Sequence, residues 1–181
     1  MAALALSIAG IPAVDTDPDL PAIFFNMVPD ACFAVARGMS LTPDKASQLL
    51  LEPASASEAL DGRYPAVRQW YRSVRKPNSI LLGVGDAPRR CHIVLINTTQ
   101  GPRAFRFAEA LLRAIGFETF TDPKGRAETV FGKHAPGGTM IVLLRGLTDA
   151  TDGIGPQVSF DVALRPDRRA TPDGSASPLP R

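Results

Sequence analysis

Two cysteines and two histidines, Cys32, Cys91, His92 and His134, are the only residues of either type in the chain. They are its candidates for thiol nucleophile, general base or soft metal ligand. A zinc site would need all four. Neither cysteine belongs to a C-x-x-C pair and the spacing is irregular, so the pattern does not point to zinc. Cys91 and His92 are adjacent in an apolar run that reads as a strand, which sends the two side chains to opposite faces. A Cys–His catalytic pair would therefore have to join Cys91 to His134 across adjoining strands. The histidine would act as base in a thiol hydrolase or transferase, with its orienting carboxylate unidentified. In an exported protein the same cysteine has a different use, a Cys32–Cys91 disulfide. It would close a loop of about 60 residues and contribute roughly 3–4 kcal/mol in the chain-entropy model. Two buried free thiols are the third reading, because cysteine packs as a small apolar residue.

Other stretches could hold a ligand. Lys133-His134-Ala135-Pro136-Gly137-Gly138 is a glycine-bearing loop that lets a ligand approach the backbone, with His134, Gly137 and Gly138 as its contact points; the same residues also spell a hairpin turn. Gly83-Val84-Gly85-Asp86 begins like a phosphate loop, but no third glycine and no GK[ST] follows. In residues 62–76, GRYPAVRQWYRSVRK, Arg68, Arg72 and Arg75 are spaced four and three apart, one side of a predicted helix. Arginine interleaved with aromatics can bind nucleic acid or an anionic surface; a solvated helix face is the plainer reading. Glu118, Asp122 and Glu128 gather near one turn without a metal-binding spacing, and GxSxG, HExxH and EF-hand patterns are missing from the sequence.

These residues must be positioned by the elements around them, and the best-defined stretch is 90–120. Cys91-His92-Ile93-Val94-Leu95-Ile96 reads as a buried strand. Turn residues and Pro102 open a helix whose stripe is Phe105, Ala108, Leu111, Leu112 and Ile115, with Gly116 as a left-handed stop and Phe117 packing back on the last turn. Upstream, residues 22–37 read as a helix bent or divided at Pro29, with Phe24, Phe25, Val28, Cys32 and Val35 near one face and Gly38 at its end. Thr42-Pro43-Asp44 starts another, on which Leu49, Leu50 and Leu51 give a broad apolar side. Residues 79–84, 118–121, 127–134, 139–144 and 157–164 read as strands, the last with Val158, Phe160, Val162 and Leu164 inward. The order predicts an α+β layer: a mainly antiparallel sheet of about five strands, helices packed on one face, a helical N-terminal third, and a parallel pair added by the crossover helix.

The 181 residues, 45% of them hydrophobic, suit one domain with a core. The net charge of +2 does not imply nucleic acid, but residues 15–61 carry −6 and residues 62–90 carry +6, so the two blocks could cancel against each other or form a two-signed surface. Residues 1–14 resemble the apolar part of a signal peptide without its basic start; residues 15–164 form the domain; residues 165–181, rich in proline and polar, read as a disordered tail. No stretch is long and apolar enough to span a membrane as a helix.

An early helix carrying Phe24, Phe25 and Cys32, a strand opening at Cys91, then Leu111-Leu112 and Gly116-Phe117, resembles a family of small uncharacterised secreted proteins and lipoproteins of proteobacteria, over roughly residues 20–145. The resemblance implies export, to the periplasm or beyond, and a disulfide; it implies no activity. The chain departs from the lipoprotein members, because no lipobox-like triplet precedes either cysteine. The expectation is an exported, non-enzymatic domain that binds a protein or cell-envelope component, with no cofactor and no metal. The competing expectations are a Cys/His hydrolase and an anionic-surface or nucleic-acid binder.

Overall fold

The run at 91–96 is the fourth strand in the chain and one of the two central strands of the sheet. The computed structural model describes residues 14–54, 64, 66–85, 90–121, 128–146 and 156–166. The leader-like start before Val14, the tail beyond Pro166, the turn at residues 122–125 and Asp86 lie outside the described residues. In chain order the elements are α1 (Leu20–Met27), a π-helical turn (Val28–Cys32), α2 (Phe33–Ala36), α3 (Pro43–Gln48), β1 (Leu51–Pro53), β2 (Val67–Ser73), β3 (Ile80–Gly85), β4 (Arg90–Ile96), α4 (Gly101–Ala114), β5 (Glu118–Thr121), β6 (Glu128–Ala135), β7 (Gly138–Gly146) and β8 (Pro156–Pro166). The strands form one sheet of eight in the order β1-β2-β3-β4-β8-β7-β6-β5.

The α+β class and the antiparallel pairing hold, while the count of five strands does not. Every strand pair is antiparallel. The crossover helix α4 carries the chain from β4 to the edge strand β5, and β8, β7 and β6 lie between them, so the expected parallel pair does not form. The largest correction is β2. Its arginine spacing of four fits one side of a helix, but it equally fits one face of a strand, where residues alternate. Val67, Trp70 and Tyr71 favour the extended form, and pairing with β1 and β3 satisfies the backbone on both sides. The residues 49–51 also leave the predicted helix. Helix α3 ends at Gln48, Leu50 turns through a left-handed φ of 55°, and Leu51 enters β1. Strand β8 runs to Pro166, two residues into the expected tail.

Helix packing also differs from the expectation of one covered face. The first helical segment and α4 lie over β4, β7 and β8, but α3 packs against the edge strand β1. The core between helices and sheet takes alternate strand residues: Cys91, Ile93 and Leu95 of β4, Val158, Phe160 and Val162 of β8, Met140, Val142 and Leu144 of β7. Phe160 sits under Phe24 and Phe25, with ring centroids 5.3 and 6.1 Å apart. Its full burial stabilises the fold by about 2–3 kcal/mol. Ala104 and Ala108 are fully buried, and their small side chains let α4 approach the sheet closely.

Pro29 deprives the first helix of one N–H, and the chain widens there into the π-helical turn before resuming as α2. Phe24, Phe25, Val28, Cys32 and Val35 are all buried, as their spacing predicts. Gly38 and Gly116 take positive φ at 111° and 86°, the two left-handed helix stops. Phe117 donates its N–H to the Leu112 carbonyl and stacks on Phe33. The acidic and basic blocks do meet. Arg72 pairs with Glu52 at 2.8 Å, and Lys76 pairs with Asp15 and Asp17 at 3.2 and 2.5 Å.

Candidate functional site

Of the four opening residues, the two cysteines are joined. Cys32 in the π-helical turn and Cys91 on β4 form a disulfide with a Cα–Cα distance of 5.1 Å, and both are fully buried. The bond ties the first helical segment to the middle of the sheet. It also removes Cys91 from nucleophilic chemistry while it persists. His134 lies on β6, with β8 and β7 between it and β4, so the expected approach of Cys91 and His134 does not occur.

His92 is the buried histidine, 6% exposed. Because Cys91, Ile93 and Leu95 face the helices, alternation sends His92 through to the other side of the sheet. The antiparallel register places Asp161 of β8 directly opposite it, and sets Arg145 of β7 opposite Ser159 of β8 and Glu128 of β6. These side chains connect across four strands. His92 Nδ1 lies 2.6 Å from Asp161 Oδ1, Arg145 donates to Asp161 Oδ2 at 2.6 Å, and Arg145 Nε lies 3.4 Å from Glu128. A carboxylate bridged by Arg145 is an acceptor, so the Nδ1 proton faces Asp161 and fixes the ring's orientation. The remaining nitrogen, Nε2, and the hydroxyl of Ser159 on the same face are buried and have no hydrogen-bond partner among the described residues.

The surroundings are aromatic on one side and open on the other. Tyr64 lies 5.0 Å from the imidazole and 5.8 Å from Trp70, centroid to centroid. Gly83 is paired with both Trp70 and His92; a Cβ there would come within 2.9 Å of Trp70 and Val67, so only glycine leaves room for the indole over β3. Toward β7 a half-open cavity of about 200 Å³ is lined by Arg90, His92, Ile141, Leu143, Arg145 and Asp161. An Asp-anchored imidazole can serve as hydrogen-bonding partner or general base at Nε2. No described hydroxyl or thiol hydrogen-bonds that nitrogen. Among the described residues, no group of three or more His, Cys, Asp or Glu is placed to hold a metal ion, and no helix is long and apolar enough to cross a membrane.

The remaining predicted residues are dispersed. His134, Gly137 and Gly138 form the tight hairpin between β6 and β7, with His134 and Gly137 exposed. Gly138 has φ 155°, and a Cβ there would lie 2.1 Å from the Arg165 carbonyl, so this glycine serves close strand approach. Arg68 and Arg72 stand on β2, and Arg75 lies past its end. The sequence analysis does not single out Asp161 or Arg145, and it groups Glu128 with Glu118 and Asp122 near a turn rather than with His92. The available signal was a single acid inside the alternating run VSFDVAL, on the face away from Phe160 and Val162. No family model matches the chain, and neither does any curated protein or solved structure.

Proposed function

We propose that the chain is an exported, non-enzymatic domain that binds a protein or cell-envelope component in the periplasm or outside the cell. The observation that carries this is the Cys32–Cys91 disulfide, fully buried between the first helical segment and the central sheet. Such bonds persist in oxidising compartments and are reduced in most cytosols. The leader-like residues 1–14 and the resemblance to small secreted proteobacterial proteins support the same compartment. The competing thiol-hydrolase reading loses its nucleophile to this bond. The anionic-surface reading loses its helical arginine face, since Arg72 is paired with Glu52 and Arg75 stands off the strand.

The test is intact mass of the protein recovered from its native host, with thiol alkylation before and after reduction. The expected result is a shortened N-terminus and two cysteines that label only after reduction. An intact Met1 with two freely labelling thiols would overturn the proposal.

A further inference from the structure

A second cavity, of about 230 Å³, lies away from the His92 network, between the first helical segment and the α3–β1 junction. Its walls include Ile23 and Met27 from α1 and Leu49 and Leu50 from the turn into β1. Two opposite charges share it, Asp30 from the π-helical turn and Arg75 from just past the end of β2. Each is exposed, and neither has an ion-pair or hydrogen-bond partner for its side chain among the described residues.

We infer that this cleft is a binding site for a free amino acid with an apolar side chain. The ligand's carboxylate meets Arg75, its ammonium meets Asp30, and its side chain enters the space beside Ile23, Met27 and Leu49. The chemistry follows from the lining. A cation and an anion unpaired among the described residues, in a cleft that mixes apolar side chains with Asn26, Gln48 and Ser73, complement a small zwitterion with an apolar body, whereas a simple fatty acid or a simple cation would leave one charge unmet. The volume falls below the roughly 300 Å³ at which drug-sized pockets begin, so the occupant is small. Two backbone irregularities border the cleft. The π-helical turn presents Asp30, and Leu50 holds a left-handed φ of 55°, a conformation disfavoured in a non-glycine residue. The strained turn is held in place, because the Leu50 carbonyl accepts the Val74 N–H at 2.8 Å. The disulfide begins one residue after Ala31, itself a wall residue, and fixes that wall to the sheet before any ligand arrives. The inference goes beyond the proposed function: it requires neither export nor a macromolecular partner.

The test is a titration of the oxidised full chain with L-leucine, followed by backbone amide NMR. Saturable shifts at Ile23, Leu49 and Leu50 are expected, with half-saturation below about 10 mM. N-acetyl-leucine removes the ammonium and leucinamide removes the carboxylate, and each is expected to bind at least about tenfold more weakly. Asp30→Asn and Arg75→Gln should show the same loss while keeping the spectrum of the free protein. The inference is overturned by shifts that do not saturate by about 50 mM, by full binding of either blocked leucine, by binding that survives both substitutions, or by O-phosphoethanolamine binding where leucine does not.

Discussion

On the face of the sheet that carries the helices, β4 presents Cys91, Ile93 and Leu95; on the other it presents His92 and Val94. The same seven residues thus serve two kinds of cohesion. Toward the helices, apolar side chains and a disulfide close a dry core that is insensitive to protonation. Away from them, a histidine, two acids and an arginine are linked across β4, β8, β7 and β6, and their cohesion depends on every member having its partner. Loss on the first face scales with apolar volume and chain entropy, whereas loss on the second depends on which partner is left unmet.

The largest effect should come from the disulfide. Replacing both Cys32 and Cys91 with alanine releases a 59-residue separation and should cost about 4 kcal/mol. Urea unfolding of the oxidised protein and the double variant measures it. A loss below about 1 kcal/mol would mean that the helical segment is held to the sheet by apolar packing alone, and that the cross-link serves something other than stability.

A smaller, asymmetric loss is expected on the second face. Asp161→Ala leaves the Arg145 guanidinium and His92 Nδ1 without their shared acceptor and should cost about 2 kcal/mol. His92→Leu keeps the Asp161–Arg145 pair and removes a buried nitrogen that has no partner among the described residues, so it should stay within about 1 kcal/mol of the parent. Equal losses from the two would show that the imidazole, rather than the carboxylate, organises this face.

The two faces were unequally legible in the sequence. Apolar spacing located the core because burial imposes a period: Phe24, Phe25, Val28, Cys32 and Val35 on the helix, and Val158, Phe160 and Val162 on β8, could be read without knowing the sheet order. Glycine stops at Gly38 and Gly116 were legible for the same local reason. The His92–Asp161–Arg145 network was not, because its members are brought together by register between β4, β8 and β7, and nothing near His92 in the chain announces a partner 69 residues away. Residues 67–73 misled because a spacing of four satisfies helix and strand alike. Strand β2 was lost with that reading, and β1 with the placing of Leu51 on the preceding helix.

The smallest effect lies at the end of the sheet where the two layers are joined. Asp15 precedes α1 and is held by the turn between β2 and β3 and by the loop after β4. Its carboxylate accepts from Ser79 at 3.0 Å and pairs with Lys76 at 3.2 Å, its N–H donates to the Asn97 carbonyl, and Thr98 donates to its carbonyl. Burial pushes the Asp15 carboxyl upward, but the Asp17 N–H, Lys76 and Ser79 outweigh it and hold the group below the usual carboxylate range. A hydrogen bond to Asp17 leads the causes that push the Lys76 ammonium above its ordinary value, against burial and with help from Asp15. The depressed carboxylate contributes stability that is present above about pH 4 and lost as pH falls through its folded value; the raised lysine contributes stability that is full below about pH 10 and lost as pH rises through its folded value. Lys76→Met should therefore lower stability at pH 7 by about 1 kcal/mol or less, solvent screening limiting the pair. The gap between parent and variant should close as Asp15 and Asp17 take up protons below about pH 4. Urea midpoints at pH 7 and near pH 3 decide it. A gap of the same size at both would place the contribution of Lys76 in its packed methylene chain, and the join between helix layer and sheet would then be apolar throughout.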